Sequence, residues 1–253
     1  MKRLSIMTAS NLLTLLFSFC FLSLEVGADL KDGLIALWLF DTAKGKVIED
    51  SSGNKNHGEL NNGAKRDVGK FGQSVVTKPQ QGVDVPLSDS LNSLKEQMTI
   101  GGWFRIDEDS DTGHRRNGSY LLEDQAGGEQ NPDGWVFAVW TDSGIGLAWG
   151  NKKVKQKVWT HIAGTYDGKM LSLYINGELD VSVKKDGEIA NPGDPLSLGK
   201  YGAETYIGGI DEVFIYDRAL STEELNELLK GFESAFSVDP SEKLATKWAT
   251  LKM

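Results

Sequence analysis

Thirteen residues in the second half of the chain, "LSLYINGELDVSV" (171–183), constrain the fold more than any other stretch. Leu171, Leu173 and Ile175 alternate with polar neighbours, and Leu179, Val181 and Val183 resume the alternation after Asn176-Gly177. A period of two sends successive side chains to opposite faces of a strand. An Asn-Gly pair between two such runs marks a two-residue type I′ turn, whose central residues both need positive φ. The stretch is therefore a hairpin with one apolar face. A lone hairpin is at best marginally stable in water, so this one requires more strands and a second layer to cover that face.

The rest of the chain supplies them. "LIALWLF" (34–40) is apolar on both faces and reads as a central strand. "MTIGGWFRI" (98–106), "GWVFAVW" (134–140), "IGLAWG" (145–150), "VWTHIAGTY" (158–166) and "YIGGIDEVFIYD" (206–217) are further β-rich runs separated by turn residues. One helix is expected: Ser221 precedes "TEELNELLKGF", Glu224 completes a capping box, and Leu225, Leu228 and Leu229 form an apolar stripe. Together these predict an all-β chain, a two-sheet antiparallel β-sandwich with one short C-terminal helix.

The two ends read differently. Lys2 and Arg3, the apolar stretch Leu12–Leu24 and the small residues near Ala28 predict a signal peptide over 1–28. The domain then runs over 29–232 and is secreted, extracellular or periplasmic, with no membrane span in the mature chain. Cys20, the only cysteine, falls within the leader, so the mature protein has neither a disulfide nor a thiol nucleophile. A net charge of −9 argues against a nucleic-acid partner. Residues 233–253 leave the strand pattern, with Leu244, Trp248 and Leu251 at helical spacing. Their expected place is against their own domain or a partner.

Catalytic motifs are missing. No H-x-x-x-H or C-x-x-C pair exists, and His57, His114 and His161 lie in separate segments. Ser143 and Ser172 lack a G-x-S-x-G context. Glu123-Asp124 and Asp211-Glu212 are adjacent pairs, which in a regular strand face opposite sides. Binding residues remain. Trp135, Trp140 and Trp149, with Tyr120 and Tyr201, are the candidates for an exposed ligand platform, since sugar rings stack on open aromatic faces. The turn-rich "DSSGNKNHG" (50–58) is either a cation loop or a connection whose Asp50, Ser51 and Asn54 bond their own backbone.

The segments "GLIALWLFD", "DSSGNKNHG", "GKFGQSV", "DVPLSDSLN", "MTIGGWFRI", "VWTHIAGTYDGKMLSLYINGEL" and "GGIDEVFIYDRALSTEEL" occur in an order that resembles laminin-G-like domains. The likeness is to the bacterial laminin G/pentraxin-like branch of the concanavalin A-like lectin/glucanase superfamily, and it covers roughly 33–230. It implies a jelly roll whose final strand lies beside the first, with Trp38, Trp103 and Trp159 buried. It also implies one structural calcium, for which Asp41, Asn54 and Asp211 are the candidate ligands. The superfamily's glucanases carry an E-x-D-x-x-E strand, and this chain has none. The expected function is non-catalytic binding of a carbohydrate or an extracellular protein. The alternatives are a polysaccharide hydrolase and an adhesive module acting through the 233–253 tail.

Overall fold

The computed structural model describes residues 29–42, 45–108, 114–116, 119–124, 134–153, 155–191, 193–201 and 204–236. The expected leader and the tail beyond 236 lie outside the described residues.

The chain begins with β1 (Leu34–Trp38), β2 (Val47–Ile48), β3 (Gly58–Asn61), β4 (Lys65–Val68), β5 (Gln73–Thr77) and β6 (Gly82–Val85). A one-turn helix, α1 (Asp89–Asn92), follows, its N-terminus capped by the Ser88 side chain accepting from the Leu91 N–H. Next come β7 (Met98–Ile106), β8 (His114–Arg116), β9 (Tyr120–Asp124), β10 (Trp135–Thr141) and β11 (Gly144–Trp149). The chain continues through β12 (Thr160–Tyr166), β13 (Met170–Ile175), β14 (Glu178–Lys184), β15 (Leu196–Leu198), β16 (Lys200–Tyr201), β17 (Glu204–Thr205) and β18 (Gly208–Tyr216). Two short helices follow: α2 (Thr222–Leu228), with the expected Ser221–Glu224 capping box, and α3 (Phe232–Phe236). The single helix read from the sequence is thus one of three among the described residues. None of the described helices is long and apolar enough to cross a membrane.

Two antiparallel sheets face each other. The first has the order β14-β13-β12-β7-β18-β5-β4, with β1 also paired to β18; the second runs β11-β10-β9-β8-β15-β6-β3-β2. The first strand therefore lies beside the last, Leu37 opposite Phe214. Between the sheets sit Trp38, Phe104, Trp135, Phe137, Ile162, Leu173 and Tyr206, all fully or nearly fully buried. Trp103 is also buried. The Asn176-Gly177 turn has φ of +52° and +77°, as a type I′ turn requires. The outer face of the first sheet is covered as well: Leu220, Leu225, Leu228 and Phe232 pack on Leu37, Ala163, Phe214 and Tyr216.

One irregularity sets up the chemistry described below. Along β18 the register slips between Asp211, opposite Trp103, and Phe214, opposite Gly101. Two residues of β18 thus oppose the single Gly102, and Glu212 takes a left-handed φ of +44°. Ile210 and Val213 point into the core, while Phe214 packs outward. The bulge therefore sends Asp211 and Glu212 to the same, outer side. Strict alternation had placed them on opposite sides.

Candidate functional site

The outer face of the second sheet carries the aromatic candidates, and the strand register divides them. Trp135, Phe137 and Val139 of β10 face the core, so Val136, Ala138 and Trp140 face out. Trp135 is fully buried, its ring 4.4 Å from Phe104, and Tyr120 is fully buried as well. Both leave the expected platform, because they share a parity with the core-facing residues of their strands. The side chain of Tyr201 is outside the described residues. Trp140 and Trp149 remain on the outer face, half-buried against Leu121, Val136 and Ala138.

Pairing of β10 with β11 fixes their spacing. Val136 is opposite Trp149, Ala138 opposite Leu147, and Trp140 opposite Ile145. The two indoles are thus one strand and four residues apart, about 13 Å along the strand direction. Leu147 and Ile145, 37% and 47% exposed, lie on the same face. The result is an apolar strip with an indole at each end. Across the sheet the same face comes to carry the carboxylates Asp84 and Glu59, following the backbone register Leu121↔Arg115↔Ser197↔Asp84↔Glu59.

Glu59 and Asp84 are directly opposed carboxylates, a pair hidden in the sequence because 25 positions separate its members. Their surroundings do not suit acid–base work. Lys200 Nζ lies 2.9 Å from an Asp84 oxygen, Asn61 Nδ2 also donates to Asp84, and Glu59 is open to solvent. A general acid needs a site that keeps its proton, through burial or a like charge. On β9, Glu123 and Asp124 fall on opposite faces, as their adjacency predicts.

A second group of acids gathers at the bulge, outside the first sheet. Asp211 is fully buried; its Oδ2 accepts from the Phe71 N–H at 3.0 Å and its Oδ1 from the Glu212 N–H at 2.8 Å. Glu212 Oε1 accepts from the Phe232 N–H at 3.0 Å, and its Oε2 has no hydrogen-bond partner among the described residues. Asp41 follows Phe40, itself at φ +61°, and its Oδ1 accepts from the Gln73 N–H at 2.6 Å. Asp41, Glu49 and Glu233 line a cleft of about 190 Å³. Burial pushes the Asp211 carboxyl up to about 7 and the Glu212 carboxyl up to about 8, with the negative charge of Asp41 adding to both.

Of the three expected calcium ligands, Asp41 and Asp211 come together and Asn54 does not. Asn54 Nδ2 donates to the carbonyls of Leu34 and Ile35 at the start of β1, whereas Asp41 lies past its end. Among the described residues no three His, Cys, Asp or Glu side chains are grouped closely enough to hold a metal ion. The donor chemistry nevertheless suits a hard cation: oxygen only, two buried acids, and one oxygen without a partner. Calcium commonly fills the remainder of its shell with carbonyls and water.

The "DSSGNKNHG" loop is a hydrogen-bonded clamp. Asp50 accepts from the N–H groups of Leu37, Ser52 and Asn56 and from the Ser52 hydroxyl, at 2.8–2.9 Å. Asn56 Nδ2 donates to Ile35 O at 2.8 Å, and its backbone carbonyl accepts from Trp38 Nε1 at 2.8 Å. His57 Nδ1 accepts from the Asp50 N–H at 3.1 Å. His161 lies in the first sheet's outer layer, 5.4 Å from Trp103 and stacked on Phe214 at 5.8 Å. Burial lowers its pKa to about 3, so its imidazole stays neutral.

The family model Laminin_G_3, of the concanavalin A-like lectin/glucanases superfamily, matches residues 77–226, more than half of the chain. The chain belongs to this family. No curated protein sequence matches it. Solved structures share the laminin G-like fold at low identity. The binding domain of Paraclostridial Mosquitocidal Protein 1 aligns with a TM-score of 0.64 and 19% identity, over 80% of this chain and 53% of that one. Domain 4 of AbnA, a GH43 extracellular arabinanase from Geobacillus stearothermophilus solved with arabinotriose, gives 0.56 and 22%, over 78% and 98%. The binding domain of botulinum neurotoxin DC in complex with SialylT gives 0.61 and 15%, over 79% and 51%. The chain thus spans about half the length of the toxin binding domains it matches, and nearly all of the arabinanase domain.

Proposed function

We propose that this laminin G-like domain is a secreted, non-catalytic module that binds carbohydrate on the outer face of its second sheet. The observation that carries the reading is the strip between Trp140 and Trp149, with Leu147 and Ile145 exposed on the same face. Indole faces stack on the C–H faces of sugar rings, and the strip is long enough for a short oligosaccharide. Domain 4 of the arabinanase, solved with arabinotriose, has the same fold. The carboxylates on this face support binding over hydrolysis, since Asp84 is held by Lys200 and Glu59 is solvent-exposed.

The proposal includes a structural calcium between the first and last strands. Asp41 and Asp211 would contribute to it, with backbone carbonyls and water filling the rest of its shell, and bound calcium would supply the positive charge that buried, ionised carboxylates lack. Asn54 has no part in this set.

The test is titration calorimetry of the protein with arabino-, galacto- and xylo-oligosaccharides, after a glycan array has selected the chemistry. Trp140→Ala or Trp149→Ala weakens binding by about tenfold or more, given about 1.5–3 kcal/mol for a well-buried aromatic contact. Binding that survives both substitutions unchanged overturns this site.

A further inference from the structure

Four lysines, Lys152, Lys153, Lys155 and Lys157, fall within six residues of a chain whose net charge is −9. They follow directly on the end of β11 and run toward β12. A charge run of this kind is ordinarily a solvated loop. Here its backbone is pinned: Asp180 Oδ2 accepts from the N–H groups of Asn151 and Lys152 at 2.6 and 3.2 Å, and the Lys157 N–H donates to Ile106 O at 2.7 Å. Lys157 takes a left-handed φ of +60°.

The loop encloses space. Lys152, Lys153 and Lys155 rim a groove of about 420 Å³ whose walls include Val158, Ile175 and Asn176. That volume lies within the range of small-ligand pockets. Charge at the rim is only partly offset. Lys152 pairs with Glu178 at 2.7 Å, both side chains being well exposed, and Asp180 lies near enough to act on Lys152. Neither Lys155 nor Lys157 has an ion-pair partner among the described residues. Val158 is 49% exposed and offers an apolar surface. Asn176 Oδ1 is spent on the His161 N–H at 3.0 Å, which aims the amide with its Nδ2 donors unspent among the described residues.

We infer that this groove is a second binding site, for an acidic sugar unit carrying a carboxylate or sulfate. The Lys155 ammonium, with Lys152 shared with Glu178, meets the anion as a point charge. The exposed valine suits the C–H face of a pyranose ring, and the Asn176 amide donates to a hydroxyl. An extended polyanion or an anionic membrane suits the groove poorly, because beyond this loop it meets a surface of net negative charge. The site is independent of the Trp140–Trp149 strip: β13, β14 and the loop before β12 build it at the sandwich edge, so it stands or falls separately.

The experiment titrates the full chain with oligogalacturonate and with a sulfated galacto-oligosaccharide, using the neutral galacto-oligosaccharide of equal length as control, at low and at high sodium chloride. Both acidic probes bind, and the affinity falls with salt as exposed charges are screened. The double variant Lys152→Gln/Lys155→Gln loses about tenfold or more with its melting temperature unchanged. Glu178→Gln gains affinity, and Trp140→Ala leaves binding of the acidic probes as it was. In Trp140→Ala, where the outer-face strip is disabled, equal binding of neutral and acidic probes overturns the inference, as does an unaltered affinity in the lysine variant. Loss on Trp140→Ala assigns the acidic sugar to the outer face instead. Tighter, lysine-dependent binding to phosphatidylserine vesicles or DNA shows a general polyanion surface and also overturns it.

Discussion

Stability without divalent cations should fall as the pH rises from 5 to 7, and the bulge on β18 is the reason. The Asp211 and Glu212 carboxyls have folded-state values of about 7 and about 8, both raised chiefly by burial. In the unfolded chain such groups titrate near 4. Between these limits the folded protein holds protons that the unfolded chain has released. Stability is then fully present below about pH 4 and is lost as pH climbs toward the folded values. Each such group contributes a slope of about −1.4 kcal/mol per pH unit, so the pair removes on the order of 5 kcal/mol between pH 5 and pH 7. For a domain of this size that is a drop in melting temperature of roughly 10–20 °C. The assay is thermal unfolding in chelator across pH 5–8.5, repeated with calcium and with Asp211→Asn/Glu212→Gln. The neutral variant should flatten the profile, and calcium should raise the melting temperature most at high pH, where it meets ionised carboxylates. A flat chelator profile in the wild type refutes the argument that burial keeps these acids protonated. If calcium shifts neither end of the profile, the proposed cation is refuted.

Three further outcomes follow from the geometry. Gly177→Val places a β-branched residue at φ +77° where the Asn226 side chain already lies, and should cost about 1–3 kcal/mol in urea unfolding; an unchanged midpoint removes the turn from the list of register determinants. Asp50→Ala leaves the N–H groups of Leu37, Ser52 and Asn56 without their acceptor, and should destabilise by about 3 kcal/mol or more; a loss under 1 kcal/mol means water replaces the carboxylate without difficulty. No reducing ends should be released from arabinan, galactan or xylan; activity that vanishes in Glu59→Gln with the fold intact makes the Glu59–Asp84 pair catalytic.

The long strands are legible because runs of six to nine residues rich in β-branched and aromatic side chains, bounded by turn residues, carry a signal of their own. β7, β10, β12 and the β13–β14 hairpin all fall within a residue or two of their expected ranges. The short strands β2 to β6 were not, since two to five residues with polar neighbours carry no period. β8 lies inside the hydrophilic segment 107–119, which reads as a loop on composition alone. Trp135 was misplaced for a physical reason: "GWVFAVW" is apolar on both faces, so alternation cannot tell inside from outside until β9 and β11 pair with it. Alternation sends Asp211 and Glu212 to opposite faces because it assumes a regular strand, and only the extra residue opposite Gly102 brings them together. The family resemblance groups Asn54 with Asp41 and Asp211, whereas its amide serves the opposite end of β1.

β18 stands in the middle of the first sheet, although among the described strands it is the last to be synthesised. On one side of it lies β7, continuing to β12, β13 and β14; on the other lie β5 and β4, with β1 paired to it as well. Until residues 208–216 emerge, these two parts of the sheet have no strand to join them, and β1 has no strand partner among the described residues. The nascent chain must therefore carry the apolar strand "LIALW" unpaired until β18 has been made. Closure of so distant a contact is slow, and an exposed strand edge is prone to association while it waits. A chain cut before Gly208 is thus two unjoined half-sheets, so this domain acquires its stability only once residues 208–216 are in place.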